Sequence, residues 1–173
     1  MMRFSTGLKL AALSAVLILA GCETKPKMTP DNTPPAAAPQ SAPVQSSSIV
    51  PGSAEDLRVN VGDTVHFDYD KYDILDADRA LLQRQAAWLA KYPAVRATIE
   101  GHCDERGTRE FNLALGARRA NAVKEYLVSL GVASARLETI SYGKERPMCA
   151  ESTESCWAQN RRGVTTITSG ANS

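Results

Sequence analysis

The chain has 173 residues and a formal net charge of +1, with 20 lysines and arginines against 19 aspartates and glutamates. That balance excludes the strongly basic face that nucleic-acid-binding domains carry, so no nucleic-acid partner is expected. Once the N-terminal segments described next are set aside, about 120 residues remain, the size of one ordinary domain.

Residues 1–22 read MMRFSTGLKLAALSAVLILAGC, a short head with Arg3 and Lys9 followed by an apolar run from Leu10 to Ala20. The run is shorter than the roughly 20 residues a membrane-spanning helix needs, and it suits the apolar core of a secretory signal. Its end, Leu19-Ala20-Gly21-Cys22, resembles the lipobox of bacterial lipoproteins, in which the cysteine is acylated and the peptide is cut just before it. Residues 1–21 are thus expected to be a lipoprotein signal peptide and Cys22 the lipidation site. Two or more acyl chains anchor stably, at about 0.8 kcal/mol per buried methylene. Glu23 stands where an aspartate often marks inner-membrane retention among bacterial lipoproteins, so the outer membrane is expected, with the folded part in the periplasm. Residues 22–55 are rich in Pro, Ala and Ser and nearly devoid of large apolar side chains. Such a segment cannot bury enough surface to offset chain entropy, and it reads as a disordered tether. About 30 residues at up to about 3.3 Å each reach near 100 Å when stretched. The remaining residues, 56–173, are assigned to the folded domain.

Within that domain, Val65, Phe67 and Tyr69 alternate with Thr64, His66 and Asp68, which predicts a half-buried strand over 64–69. A helix follows, with Asp76 as its cap, Leu82, Ala86 and Leu89 at helical spacing, and Pro93 as its stop. Residues 94–101 alternate again, Val95, Ala97 and Ile99 on one face and Arg96, Thr98 and Glu100 on the other. Thr108 is placed to cap a second, longer helix with Glu110 in its first turn. Leu113, Gly116, Ala120, Val123, Leu127 and Leu130 would form that helix's core stripe. Gly131 ends it, 136–143 reads as a third strand, and 163–169 is β-branched enough to be a fourth. Strands alternating with helices over this length predict an α/β two-layer sandwich, a mixed four-stranded sheet with two main helices.

The chemistry is concentrated in EGHCDERGTREFNLALGARRA, residues 100–120. A catalytic Cys–His pair is disfavoured, because His102 and Cys103 are neighbours at a strand end and neighbouring side chains there point to opposite faces. A metal site is disfavoured too, since the only two histidines, His66 and His102, share no ligand spacing; no metal, cofactor or catalytic residue is assigned. Ligand binding suits these residue types better. Asp104 lies in a loop ahead of the long helix, and Arg119, beside the stripe residue Ala120, lies at the edge of the buried face. Periodicity alone leaves two readings open, an intramolecular Asp–Arg pair or a grip on a charged ligand.

The segments FDYDKYDI, GHCDERGTREFNLALGARRANAVKEYLVSLGV, SYGKERP and NRRG come in this order over residues 65–168, and they resemble the OmpA-like peptidoglycan-binding domain. With the lipobox and tether, the chain is similar to the lipid-anchored members of that family. The resemblance implies a non-enzymatic domain whose ligand is the meso-diaminopimelate of the cell-wall stem peptide, a zwitterion. By position, Asp104 would accept from its ammonium and Arg119 would clamp a carboxylate, a geometry that suits a guanidinium fork. Asp70, Tyr69, Arg106, Asn112 and Leu115 would line the same groove, and Asn160, Arg161 and Arg162 match the late block, as ligand contacts or as braces of the fold. The implied partners are peptidoglycan, the outer membrane through acylated Cys22, and TolB with other Tol proteins, in envelope integrity and cell division. A hub whose main ligand is a periplasmic protein such as TolB is the alternative. Cys103 stands where the family usually has threonine or alanine. Of the four cysteines, lipidation of Cys22 leaves three in an oxidising compartment. Cys149 and Cys156, bracketing AESTES, form the natural pair, and Cys103 stays free.

Overall fold

A computed structural model describes residues 49–172. The signal segment, Cys22 and most of the tether lie outside the described residues. Among the described residues the elements follow in this order: α1 (Ala54–Asp56, running on as a π-helical turn over Leu57–Val61), β1 (Thr64–His66), α2 (Asp76–Lys91), β2 (Arg96–His102), α3 (Arg109–Ser129), a 3-10 turn (Ser134–Arg136), β3 (Leu137–Gly143), α4 (Glu154–Asn160) and β4 (Arg162–Ser169). The strands form one mixed sheet in the order β1-β4-β2-β3. β4 runs antiparallel to both β1 and β2, and β2 runs parallel to β3. This is the α/β two-layer sandwich that the alternation of strands and helices predicts.

Several boundaries differ from the expected ones, each for a local reason. The folded part begins ahead of residue 56, because the Asp56 carboxylate accepts from Gly52 N at 2.7 Å, Asn60 Nδ2 at 2.8 Å and Trp88 Nε1 at 2.9 Å. Two of these donors close the segment 52–60 on itself, and the third, Trp88, fastens it to α2. β1 stops at His66 instead of Tyr69, and from Phe67 onward the chain bonds to Arg161, whose carbonyl accepts from Phe67 N at 3.0 Å. Asp76 is the first helical residue of α2, while Leu75 holds the cap position without a side-chain bond. Asp76 and Asp78 still complement the helix dipole from the first turn, and Asp78 ties the helix to β1 by accepting from His66 N at 2.9 Å. Thr108 does cap α3, its hydroxyl accepting from Phe111 N at 3.2 Å. The buried stripe of α3 is Asn112, Leu115, Gly116, Arg119, Ala120, Val123 and Leu127. Leu113 lies at its margin and Leu130, past the helix end, is exposed.

The helices cover one face of the sheet. Val65, Ala97, Ile99, Leu137 and Gly163 look toward α2 and α3, where Leu82, Leu89, Val123 and Leu127 complete the core. Gly101 and Gly116 set the distance between layers. A Cβ on Gly101 would run into the carbonyl oxygen of Gly116, and one on Gly116 would run into Ser141 Oγ. α3 therefore lies backbone-to-backbone on the end of β2, and Arg119, three residues on from Gly116, reaches over the strand's last carbonyl. Gln85, which the stripe of small and aliphatic residues in α2 does not disclose, is buried and bridges Gly62 O at 2.8 Å and Thr165 Oγ1 at 2.9 Å.

The other face of the sheet carries Glu100, His102, Ile140, Tyr142 and Arg162. His102 is buried there, its Nε2 3.5 Å from Glu100 Oε2 and its ring centre 5.4 Å from that of Tyr142. Burial first, then the cations of Arg162 and Arg146, lower its pKa from 6.5 to about 4.

Two outcomes test this packing. Gly101→Ala forces backbone against backbone and should cost about 3 kcal/mol or more in chemical denaturation. Gly116→Ala should cost less, because its nearest obstacle is a hydroxyl that can rotate away, the Gly101 carbonyl oxygen lies farther off at 2.9 Å, and alanine raises helix propensity by about 1 kcal/mol. Between pH 6.5 and about 4 the unfolded chain holds a proton on His102 that the folded chain does not, so stability rises with pH in that window. The domain should lose on the order of 2 kcal/mol from pH 6.5 to 5, at about 1.4 kcal/mol per pKa unit traversed, and thermal melts of His102→Gln should show a flatter slope over the same range.

Candidate ligand-binding site

The ends of β1 and β2 open into two loops, 67–75 and 103–108, and the first turns of α3 rise between them. All seven side chains assigned to the ligand, Tyr69, Asp70, Asp104, Arg106, Asn112, Leu115 and Arg119, line one cleft there, together with Cys103 and Phe111. Each is placed by a traceable local cause. Asp70 sits at φ 55 in the tight turn after β1, a left-handed conformation that aspartate tolerates better than most residues. Lys71 N closes the turn on Asp68 O at 3.2 Å. Asn112 Nδ2 donates to the carbonyls of Arg106 at 2.8 Å and Thr108 at 3.0 Å, which fixes the Asp104 loop to α3. Lys144 Nζ reaches the carbonyls of Glu105 and Gly107, at 3.0 and 2.6 Å, from the far side.

Arg119 is not at an edge, as helical spacing implies, but completely buried. Its Nε donates to Lys71 O at 2.8 Å, its Nη1 to His102 O at 2.8 Å and its Nη2 to Asp68 O at 3.0 Å. A buried cation is tolerable when such bonds replace its hydration, and burial lowers its pKa. Two N–H groups of its five remain beyond these three bonds.

Asp104 is buried as well and is held by cations on two sides. Arg106 Nη2 lies 2.6 Å from Oδ2, Arg106 Nε and N both lie 3.1 Å from Oδ1, and Arg161 Nη1 lies 3.4 Å from Oδ2. Burial raises the Asp104 pKa, but the bonds from Arg106 outweigh it and the carboxyl stays below its ordinary value. The intramolecular pair that Asp104 makes is thus with Arg106 and Arg161, not with Arg119.

The Arg106 guanidinium is itself sandwiched, 4.1 Å from the ring of Tyr69 and 4.1 Å from that of Trp157, with Glu154 Oε2 3.7 Å away. It closes the cleft to about 10 Å³, room for about one water. Trp157 and Glu154 belong to α4, a short polar helix that no periodicity marks. α4 is stapled to the preceding loop by a disulfide between Cys149 and Cys156, with Cα atoms 5.2 Å apart. Of the late block, only Arg161 reaches the cleft. Asn160 braces the disulfide loop through Met148 N, Cys149 N and Cys149 O, and Arg162 lies beside His102 on the other face. The free thiol of Cys103 is buried at the cleft floor, where burial raises its pKa to about 11. It is a neutral side chain near pH 7, not a thiolate nucleophile.

The cleft therefore offers one buried carboxylate paired with a partly exposed arginine, Arg106, and a buried one, Arg161, together with the fixed guanidinium of Arg119. A carboxylate and a guanidinium in one cleft suit a small zwitterion. Phe111 could have been found in the sequence, four residues before Leu115 on the same helical face. Trp157 and Glu154 could not, since only the tertiary fold brings them to Arg106.

Residues 66–161 match the OmpA family, the segment that carries both loops, α3 and α4. The peptidoglycan-associated lipoprotein of Mesorhizobium japonicum is 52% identical over 162 residues, covering 94% of this chain and 92% of that protein. The one from Pseudomonas aeruginosa is 41% identical over 157 residues, covering 89% and 93%. The crystal structure of the peptidoglycan-associated lipoprotein from Burkholderia pseudomallei superimposes with a TM-score of 0.60 at 45% identity, over 61% of this chain and 90% of that one. The C-terminal domain of Helicobacter pylori MotB, at 23% identity and a TM-score of 0.58, shares the fold. The chain belongs to the OmpA family and, within it, to the peptidoglycan-associated lipoproteins, a group of binding proteins and not of enzymes.

Proposed function

We propose that this protein is an outer-membrane lipoprotein, anchored through acylated Cys22, that grips peptidoglycan noncovalently through the diaminopimelate of the stem peptide. Its domain would then hold outer membrane to cell wall across the periplasm, as part of the Tol–Pal system with TolB, in envelope integrity and cell division. The observation that carries the wall-binding reading is the convergence of all seven assigned side chains on one cleft that sets the buried Asp104 carboxylate over the buried Arg119 guanidinium.

In this reading the ligand's ammonium takes the place of the Arg106 guanidinium on Asp104, since the cleft has no spare volume while Arg106 lies across it. Tyr69 and Asp70 form the rim, and Leu115 and Phe111 pack against the aliphatic chain. A ligand carboxylate reaches the remaining N–H groups of Arg119. Charged hydrogen bonds of this kind are worth about 1.5–3 kcal/mol each.

The burial of Arg119 decides how the grip is tested. Removing a partner from a buried ionic network costs about 3–5 kcal/mol of stability, so loss of binding in Arg119→Ala would not separate grip from fold. Arg119→Lys keeps the charge without the fork, and Asp104→Asn keeps the shape without the charge. Both should fold by circular dichroism and sediment with isolated sacculi at least tenfold more weakly, a factor worth about 1.4 kcal/mol. Free meso-diaminopimelate should compete with sacculi for the wild-type protein, and its carboxyl-amidated form should not. Equal competition by the two forms, with both variants binding like wild type, rejects the cleft as the diaminopimelate site.

Cys22→Ala should move the protein from the membrane fraction to the soluble periplasm. Retention of that variant in outer-membrane fractions rejects the lipid anchor.

A further inference from the structure

The charges around Asp104 form a closed ring of four. Arg106 Nη2 lies 2.6 Å from Asp104 Oδ2 and Arg161 Nη1 lies 3.4 Å from the same oxygen, while Glu154 faces Arg161 Nη2 at 2.7 Å through Oε1 and Arg106 Nη1 at 3.7 Å through Oε2. Two carboxylates and two guanidiniums thus alternate. The longest contact of the four joins Arg106 to Glu154, an ion pair without a hydrogen bond. That side of the ring has room to tighten.

The members are not equally fixed. Asp104 and Arg161 are buried, and Arg161 is tied in addition to Phe67 O at 2.9 Å. Arg106 and Glu154 keep 28% and 64% of their side-chain surface exposed, so these are the two that can rearrange without opening the core. Among the described residues, Asp104 and Glu154 are the carboxylates within 4 Å of the Arg106 guanidinium. A group that displaces Arg106 from Asp104 therefore leaves it one anion to turn to. Trp157, whose ring lies 4.1 Å from the guanidinium, stands three residues after Glu154 on α4, which puts both on one face of the helix. Stacking on the ring and pairing with the carboxylate are compatible.

We propose that Glu154 is a positioning residue for ligand binding: it receives the Arg106 guanidinium when an ammonium takes Asp104, and so sets the affinity of a cleft that it does not itself line. The proposal rests on the cleft reading above. Arg106 is a built-in competitor for the ligand's ammonium, because its two contacts to Asp104, at 2.6 and 3.1 Å, must break before the closed cleft admits anything. A guanidinium left without a counter-charge would be drawn back to Asp104. One met by Glu154 trades a charge-assisted contact for another. The trade uses only Oε2, since Oε1 stays with Arg161.

The experiment is a double-mutant cycle on Arg106 and Glu154, read by calorimetry with free meso-diaminopimelate. Glu154→Gln should bind about fivefold more weakly than the wild type, the scale of one partly exposed ion pair. Arg106→Gln removes the competitor and should bind at least as tightly as the wild type. Adding Glu154→Gln to Arg106→Gln should then change nothing. Wild-type affinity in Glu154→Gln overturns the proposal, and so does a loss that persists without Arg106, which would assign Glu154 to Arg161 or to the fold of α4. A second readout needs no variant to fold. Trp157 is one of two tryptophans, and the other, Trp88, is buried in the core, so binding should alter the tryptophan emission of the wild type as Arg106 shifts against the Trp157 ring. Unchanged emission on saturation overturns the movement of Arg106 while leaving the cleft intact. If the wild type binds no diaminopimelate, the cleft reading fails and this one with it.

Discussion

A guanidinium with no exposed surface is the constraint on which the binding end of this domain depends. Arg119 reaches its three carbonyl oxygens only because α3 sits directly on the end of β2, and it sits there only because Gly101 and Gly116 present backbone to backbone. The three carbonyls come from two separate segments, the loop after β1 and the last residue of β2. One side chain therefore joins helix, strand and loop. The arrangement is also a solution to backbone satisfaction, since Asp68, Lys71 and His102 would otherwise need other partners for their carbonyl groups. A site wall pinned by a buried charge does not drift, because each displacement would strip hydrogen bonds from an ion that has no water to replace them.

Asp104 is governed differently. Its cationic partners differ in burial: Arg161 is buried and also donates to Phe67 O at 2.9 Å and Glu154 Oε1 at 2.7 Å, whereas Arg106 is partly exposed and held between two aromatic rings. In the proposed grip, exchange of Arg106 for a ligand ammonium would preserve the charge balance at the carboxylate and leave Arg161 in place. α4 would enter function through that exchange. By positioning Trp157 and Glu154 it offers Arg106 a place to rest, and the disulfide between Cys149 and Cys156 holds the preceding loop against α4. Trp157 Nε1 also donates to Glu105 Oε1 at 3.0 Å, so the late segment and the Asp104 loop are braced together.

Much of the fold was legible in the sequence because the elements that bear it are periodic. The alternation of Val95, Ala97 and Ile99, the Thr108 cap and the run from Gly116 to Leu127 each carry their own local reason. The failures have one physical character. Arg119 reads as an edge residue and no spacing marks Gln85 as buried, and only tertiary hydrogen bonds make their burial tolerable. Leu113 and Leu130 read as core by type, yet a helix has one buried face, and Asn112 and Arg119 occupy places there that apolar side chains would be expected to fill. The helical start at Ala54 depends on a long-range partner, Trp88, and α4 is held by a disulfide to the loop just before it. The membership of the cleft was legible through motif resemblance and not through spacing, because residues 48 to 51 positions apart, such as Arg119 with Lys71 and Asp68, meet only once the sheet has formed. The pairing of Asp104 with Arg106 had no periodic signal at all.

The spacing within the cleft follows from the same rigid part. A helix rises about 1.5 Å per residue with little tolerance, so α3 acts as a ruler on which Asn112, Leu115 and the fixed guanidinium of Arg119 keep constant spacing along one wall of the cleft. Those side chains meet the Asp104 loop in a dry place, where an unpaired charge is costly, so the helix fixes both the shape of the cleft and the charge that any occupant must match.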